Sequence, residues 1–344
     1  MRKRGAIELQ FNWVFTLIVG AAIFVFFFGI INRYTNIAAS TTSANIINDL
    51  ETITTGASVS RGTVQTIRLP NVDITFDCAD CFCHYSIRGV SKQFRDKIIF
   101  APSLIKGRNL IAWTLDWSSP FRVTNLLYLT SPYIRYIIVG NSNLALEINS
   151  TLPSELDRDY NATFPGSSIQ DENNYKVRFV YVDVLPQNND LANLVSMKDD
   201  DVTAISIDSS ANPPKIDFYK KQGSVWSSSI STTYFTNTED VIAAIFSEDA
   251  DTYNCNMQSL YGRMAKVTRI YINRTYFFYT NPPSGCASTL YDMTALTTLE
   301  SKSLILAQQF PPTNLNDLRD IITQTATLST QNTRTQLWSC PEIY

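Results

Sequence analysis

The chain has 344 residues with 44% hydrophobic and 12% aromatic content, which is enough apolar material for a folded core and excludes wholesale disorder. The formal net charge is −3 and the sequence contains no basic stripe, which argues against nucleic acid as the partner and against a polybasic lipid-binding surface. A chain of this length allows roughly two domains after an anchor.

The stretch 11–31, FNWVFTLIVGAAIFVFFFGII, has no charged residue and is dense in Phe, Ile, Val and Leu. At about 1.5 Å per residue, a helix of this length crosses the roughly 30 Å hydrocarbon core of a bilayer. The stretch therefore predicts a single transmembrane helix in contact with the lipid bilayer. Arg2, Lys3 and Arg4 precede it and only Arg33 follows closely, which predicts a cytoplasmic N-terminus and an extracytoplasmic bulk at the cell membrane. A cleaved secretory signal is the alternative, although its apolar core is usually shorter.

Residues 2–5, RKRG, followed by AIELQ and the apolar run, resemble the leader of archaeal type IV pilin-like proteins. The resemblance implies cleavage between Gly5 and Ala6 and assembly through the N-terminal helix. Pilins usually carry an acid at the fifth mature position, where this chain has Gln10, whereas Glu8 stands at the third. Glu8 is either a solvated acid at the membrane interface or a helix-packing partner for a neighbouring subunit's N-terminal amine. The wider pattern, KRGAIELQFNW and later LETITTGASVSRGTVQTIRLPN, also looks like a group of single-span archaeal surface proteins.

The pattern after the apolar stretch changes from helical to strand-like. Apolar residues at near-helical spacing predict a stalk helix in 32–57, and alternation from Thr63 onward predicts a small β-rich region over 58–130. Trp113 and Trp117 are expected to pack the core of this region, with an exposed sugar-binding platform as the alternative.

All six cysteines follow the predicted span, and an even number outside a membrane is expected to form disulfides: Cys78, Cys81, Cys83, Cys255, Cys286 and Cys340. Three lie in one cluster and three in the last third, so full pairing needs at least one bridge between the groups. The sequence ITFDCADCFCHYSI predicts a hairpin in which Cys78 faces Cys83, leaving Cys81 at the tip to reach the C-terminal group. A metal site that uses His84 is the alternative. A helix of about 25 residues would separate Cys255 from Cys286 by about 38 Å, so the partner of Cys255 stays open between Cys340 and Cys81.

Apolar strands that alternate with helices predict an α/β sandwich-like domain with parallel strands over 131–236. Three of these strands end in polar residues, and ligands of open α/β sheets bind beyond the carboxyl ends of the strands. Asn141, Ser142, Asp183 and Asp208 are therefore candidate ligand-binding residues. The same residue types are ordinary helix caps. No glycine-rich phosphate loop accompanies them, so no cofactor is predicted.

Long helical patterns broken by proline pairs predict a helical C-terminal region over 237–344. Acidic runs could bind a hard cation through carboxylate oxygens, although such runs in loops are usually solvated: residues 157 and 159, 199–201, and 249 and 251. The chain has one histidine and no GxSxG sequence, so a serine or cysteine triad is not indicated.

The sequence as a whole predicts a mixed α/β fold: a cytoplasmic basic leader in 1–10, the transmembrane and stalk helices, a β-rich region, an α/β domain and a helical C-terminal part. The functional hypothesis is a single-pass, membrane-anchored extracytoplasmic protein, without catalysis, that binds a protein or cell-envelope partner. The first alternative is a pilin-like subunit processed after Gly5. The second is a membrane-anchored envelope hydrolase or transferase with its site on the α/β domain, and a hydrolase that uses a pair of carboxylates is the enzyme class that the sequence leaves open.

Overall fold

The computed structural model describes residues 17–28, 43–56, 60, 62–94, 97–161 and 174–344. The fold is mixed α/β, with several sheets and a helical C-terminal part, as the sequence predicts. The basic leader, the possible cleavage between Gly5 and Ala6, and the helix-packing candidate Glu8 lie outside the described residues.

Residues 17–28 of the predicted transmembrane stretch are helical, and their side chains are exposed. The most exposed are Phe24 at 72%, Val25 at 69% and Phe26 at 64%. In the described part of the chain, no helix is both long enough and apolar enough to cross a membrane. The rest of the stretch 11–31 lies outside the described residues, so the transmembrane helix stays a prediction.

Residues 43–56, within the predicted stalk, are helical and packed against the β-rich region. Ile47 and Leu50 are buried, because their near-helical spacing places them on one face of the helix. Glu51 on the same helix accepts a hydrogen bond from Lys97 Nζ at 2.7 Å, and Tyr85 Oη donates to the Ile47 carbonyl at 3.2 Å. This part of the stalk is therefore attached to the body of the protein.

Eight strands belong to the β-rich region: β1 (Val64–Arg68), β2 (Ile74–Ala79), β3 (Phe82–Ile87), β4 (Val90–Gln93), β5 (Ile99–Phe100), β6 (Leu104–Ile105), β7 (Asn109–Ser118) and β8 (Arg122–Thr130). They form one sheet in the order β1-β7-β8-β5 and an antiparallel sheet in the order β4-β3-β2-β6. Trp113 and Trp117 are buried in the core, as predicted. Trp117 Nε1 donates to Oδ1 of the buried Asp240 at 2.7 Å.

The segment predicted as an α/β domain contains a third sheet: β9 (Ile134–Val139), β10 (Asp157–Asn161), β11 (Lys176–Val182), β12 (Val202–Asp208), β13 (Lys215–Gln222), β14 (Val225–Trp226) and β15 (Ser231–Tyr234). Its order is β10-β9-β11-β12-β13-β14, and β15 also pairs with β13. Strands β9 to β12 are parallel, which confirms the prediction. Strand β13 is antiparallel to β12 because a short turn connects the two. It is not at the sheet edge, since β14 and β15 pair with it.

The labelled helices are α1 (Asn143–Thr151), α2 (Thr238–Phe246), α3 (Ala250–Thr280), α4 (Thr294–Gln308) and α5 (Asn316–Leu337). Helices α2 to α5 confirm the predicted helical C-terminal part. The Asn237 side chain caps α2 by accepting from the Asp240 N–H at 2.9 Å, and Asp249 caps α3 by accepting from the Thr252 N–H at 2.8 Å. Helix α3 packs against α4, and α4 packs against α5.

The six cysteines form three disulfides and none is free: Cys78–Cys83, Cys81–Cys255 and Cys286–Cys340. The hairpin prediction is confirmed, because Cys78 and Cys83 are directly paired across β2 and β3. Cys81 at the turn bonds to Cys255 on α3, which resolves the alternative left open by the sequence. The metal site with His84 is wrong, since these sulfur atoms are in disulfides and are not available as thiolate ligands.

The largest hydrophobic core takes side chains from the β-rich region, the α/β sheet and the C-terminal helices together. One face of the third sheet packs against α1, α2 and α3, for example through Ile138 and Ile205. The other face packs against the connection between β11 and β12, where Leu191 and Leu194 are buried beside Phe179. The third sheet is therefore covered on both faces, and its carboxyl edge remains accessible.

Candidate functional site

The carboxyl edge of the third sheet has a position between β9 and β11 at which an open α/β sheet can form a ligand-binding crevice. The chain leaves β9 toward β10 on one side, whereas it leaves β11 toward β12 on the other. Neighbouring strands whose connections run in opposite directions leave such a crevice, which is where open α/β sheets bind ligands. Ser142 follows β9 and Asp183 follows β11, so both belong to this position.

Hydrogen bonds from two loops hold the Asp183 carboxylate. Its Oδ1 accepts from the Ser209 N–H at 2.9 Å and from the Ser209 hydroxyl at 2.7 Å. Burial alone would raise the pKa of Asp183, but the hydrogen bonds from Ser209 and Ser142 lower it below its usual value. The carboxylate is therefore ionised at neutral pH, and it joins the loops that follow β9, β11 and β12.

Close backbone approach at the same edge requires glycine after β9. Gly140 has φ of +150°, and a Cβ atom placed on it would lie 2.5 Å from the Val182 carbonyl oxygen. Any other residue would push β9 and β11 apart where they end. Asp183 itself has φ of +57°, a left-handed conformation that aspartate tolerates better than most residues.

An open groove of about 570 Å³ extends from Asp183 along the ends of β11, β12 and β13. Its polar lining residues are Asp183, Ser206, Asp208, Ser209, Ser210, Lys215 and Asp217, and Val184, Leu185 and Ile207 add apolar surface. Three carboxylates and one ammonium group give the lining a formal charge of −2. The groove therefore favours cationic groups and hydroxyl groups that donate hydrogen bonds.

The carboxylates of the groove are already held by the protein. Asp208 Oδ1 accepts from the Ser210 N–H at 3.1 Å and from the Ser210 hydroxyl at 2.7 Å. Asp217 Oδ2 pairs with Lys215 Nζ at 3.0 Å, and its Oδ1 accepts from the Thr232 hydroxyl. Neither histidine nor cysteine is among the lining residues. The arrangement suits recognition of a polar group, and it does not present a serine activated by a histidine base.

The structure brings together most of the candidate residues that the sequence suggested. Asp183 and Asp208 line the groove, and Ser142 bonds to Asp183. Ser142 also caps α1, where its hydroxyl accepts from the Ala145 N–H at 3.4 Å, so the capping alternative holds for it as well. Asn141 is exposed and does not line the groove.

Sequence reasoning missed the part of the groove that β13 contributes. Strand pairing places Lys215 opposite Asp208 and Asp217 opposite Ser206. Lys215 and Asp217 are two residues apart, so they point to the same face of the strand. The two-residue spacing of Lys215 and Asp217 in a strand pattern was the sequence signal that could have predicted their common face.

The other acidic runs have local roles. Asp159 lies in β10 and pairs with Arg135 on β9, which corrects its expected place in a loop. Asp199 pairs with Lys221 Nζ at 2.7 Å, and Asp249 caps α3. In the described ranges, no group of three His, Cys, Asp or Glu side chains could hold a metal ion.

No protein-family profile, curated protein sequence or solved structure matches this chain.

Proposed function

We propose that this chain is a single-pass, membrane-anchored extracytoplasmic protein that binds a protein or cell-envelope partner without catalysing a reaction. The observation that carries the proposal is the disulfide framework, in which all six cysteines are paired. Disulfides form and persist in oxidising compartments, which lie outside the cytoplasm in most cells. A body with this framework belongs on the extracytoplasmic side of the membrane.

The exposed helix 17–28 supports the anchoring part of the proposal. Twelve successive apolar or small residues have no protein core to cover them within the described structure. A continuous apolar surface of this kind marks a membrane or protein contact. The same surface also favours the second candidate function, a pilin-like subunit, because the helix would then pack against helices of neighbouring subunits.

Charged substitutions in this helix test the anchor. The double variant Phe24→Arg, Phe27→Arg is expected to oppose insertion by about 6 kcal/mol, since one arginine at the centre of a membrane helix costs about 3 kcal/mol. The matched control is Phe82→Arg, because Phe82 is 63% exposed but lies at the tip of the β2–β3 hairpin. After alkaline carbonate washing, wild type and control should stay with membranes and the double variant should not. Wild type released by carbonate would overturn the anchor.

The groove at the carboxyl edge is the surface on which we propose that the partner binds. Asp208→Asn removes one of its negative charges while keeping the shape of the side chain. The control is Asp200→Asn, an exposed acid outside the groove. With the full chain in nanodiscs and an envelope fraction from the same cells as the probe, Asp208→Asn should weaken binding several-fold and Asp200→Asn should not. Equal binding by both variants would remove the groove as the binding surface.

A further inference from the structure

A small cavity lies between the amino-terminal ends of β9, β11 and β12 and the end of α2. It is at the opposite edge of the sheet from the groove described above. Its lining includes Tyr136, Lys176, Arg178, Thr203 and Glu248. The space that a water centre can occupy is about 10 Å³, which is close to the volume that one water molecule requires.

The charged groups around this cavity are satisfied by one another and by the end of α2. Lys176 forms a buried ion pair with Glu248. The Arg178 guanidinium donates through Nη2 to the carbonyl oxygens of Ala244 at 3.1 Å and Ser247 at 2.7 Å. These carbonyls belong to the C-terminal turn of the helix, where the helix dipole favours a cation. The two cations and the Glu248 carboxylate leave one formal positive charge, which the α2 carbonyls and the nearby Asp249 offset, so the site does not call for an anion.

Two polar atoms beside the cavity nevertheless lack a partner. Arg178 Nε and Thr203 Oγ1 are buried, and neither has a hydrogen bond within the described structure. Arg178 is only 4% exposed and Thr203 only 1%. A buried donor or acceptor without a partner is unfavourable, and native proteins usually satisfy such groups through ordered water.

Arg178 and Thr203 are neighbours in the sheet, and both line this cavity. Arg178 on β11 is directly paired with Thr203 on the parallel strand β12. Parallel partners point their side chains to the same face, with the strands about 4.8 Å apart. One small group between the side chains can therefore accept from the Arg178 Nε–H and bond to the Thr203 hydroxyl.

We propose that this cavity holds one ordered water molecule that bridges Arg178 Nε and Thr203 Oγ1. The water accepts the Arg178 Nε–H and donates to Thr203 Oγ1. It completes the hydrogen bonding of the guanidinium that caps α2, and so fixes β11 and β12 relative to that helix. Water fits better than a halide, because the cavity has the volume of one water and its cations already have acceptors.

A crystal structure of the full chain in detergent, at a resolution that shows ordered water, tests the assignment directly. The expected result is a single density peak within hydrogen-bonding distance of both Arg178 Nε and Thr203 Oγ1. An empty cavity, or a direct hydrogen bond between the two side chains, would overturn the proposal. An anomalous peak at this position after bromide soaking would also overturn it, by assigning the site to an anion.

A pair of substitutions at Thr203 gives an independent solution test. Thr203→Val replaces the hydroxyl with a methyl group of similar size, whereas Thr203→Ser keeps the hydroxyl. In protein labelled with ¹⁵N-arginine, wild type and Thr203→Ser should show a water cross-peak at the Arg178 Nε–H, and Thr203→Val should lose it. A cross-peak that persists in Thr203→Val, or is missing from wild type, would contradict the bridge.

Discussion

The three disulfides should stabilise the protein to different extents, because they close loops of very different length. Their cysteines are separated by 5, 174 and 54 residues, for Cys78–Cys83, Cys81–Cys255 and Cys286–Cys340 respectively. A cross-link lowers the entropy of the unfolded chain by an amount that rises with the logarithm of loop length. Replacing each pair with alanine is therefore expected to lower the free energy of unfolding by about 2, 5 and 4 kcal/mol in that order.

Packing differences do not account for this ranking. Each disulfide has one buried half, in Cys83 at 8%, Cys255 at 9% and Cys340 at 6% exposure. Truncating the buried half to alanine therefore removes a similar amount of packing in every pair. Of the other halves, Cys81 is exposed whereas Cys78 and Cys286 are half-buried, so packing would not make the loss of Cys81–Cys255 the largest.

Guanidinium titration of the full chain in detergent micelles, followed by tryptophan fluorescence, provides the assay. The free energy of unfolding should be compared rather than the midpoint, because removing a cross-link expands the unfolded chain and changes the slope. Loss of Cys81–Cys255 should be the most destabilising and loss of Cys78–Cys83 the least. Equal losses, or a largest loss from Cys78–Cys83, would refute the loop-length reasoning.

Three further predictions follow from buried groups and the carboxyl edge. Glu248→Gln leaves Lys176 buried without its ion partner, so it should lower the free energy of unfolding by about 3–5 kcal/mol. The control is Asp320→Asn, which removes a more exposed partner of Lys302. In the same guanidinium titration it should lower the free energy of unfolding by less than about 1 kcal/mol. Burial would raise the pKa of Glu248, but Lys176 and Arg178 lower it below its ordinary value. Its stabilising effect is therefore present at neutral pH and is lost as pH falls from that ordinary value through the lowered pKa, so acid unfolding should be less steep in Glu248→Gln. Gly140→Ala should lower the free energy of unfolding by at least about 2 kcal/mol, because the new Cβ atom would meet a carbonyl oxygen. The control is Gly223→Ala, which has open space around a φ of +65° and should lower it by about 1 kcal/mol. Similar melting temperatures for the two variants would argue against the close approach at the end of β9.

The sequence predicted those parts of the fold that depend on local pattern. The period-2 alternation around Cys78 and Cys83 fixes which residues face each other, so the hairpin and its disulfide could be read directly. Ser142 and Asp183 could be expected to meet because parallel strands end at a common sheet edge. The identity of the partner of Cys81 could not be derived, because it depends on how α3 packs against the hairpin.

The missed elements are those in which tertiary contacts override the local pattern. Strand β10 is polar, and it is a strand because it pairs with β9 at the sheet edge, where Arg135 balances Asp159. Lys176 and Arg178 look like exposed positions by residue type, yet they are buried because Glu248 and the end of α2 complete their bonding. The contact of helix 43–56 with the β-rich region is similarly invisible to helical periodicity, which shows an apolar face but not what covers it.

Intact mass spectrometry without reductant, combined with N-terminal peptide mapping of protein taken from native membranes, tests whether the chain is anchored in the membrane with a disulfide-bonded extracytoplasmic body. The expected result is a membrane-derived chain with an intact basic leader and six fewer hydrogens than the reduced mass, because three disulfides are formed. A new N-terminus at Ala6 would instead support the pilin-like subunit. Free thiols at the six cysteines would contradict the extracytoplasmic location on which the proposed function rests.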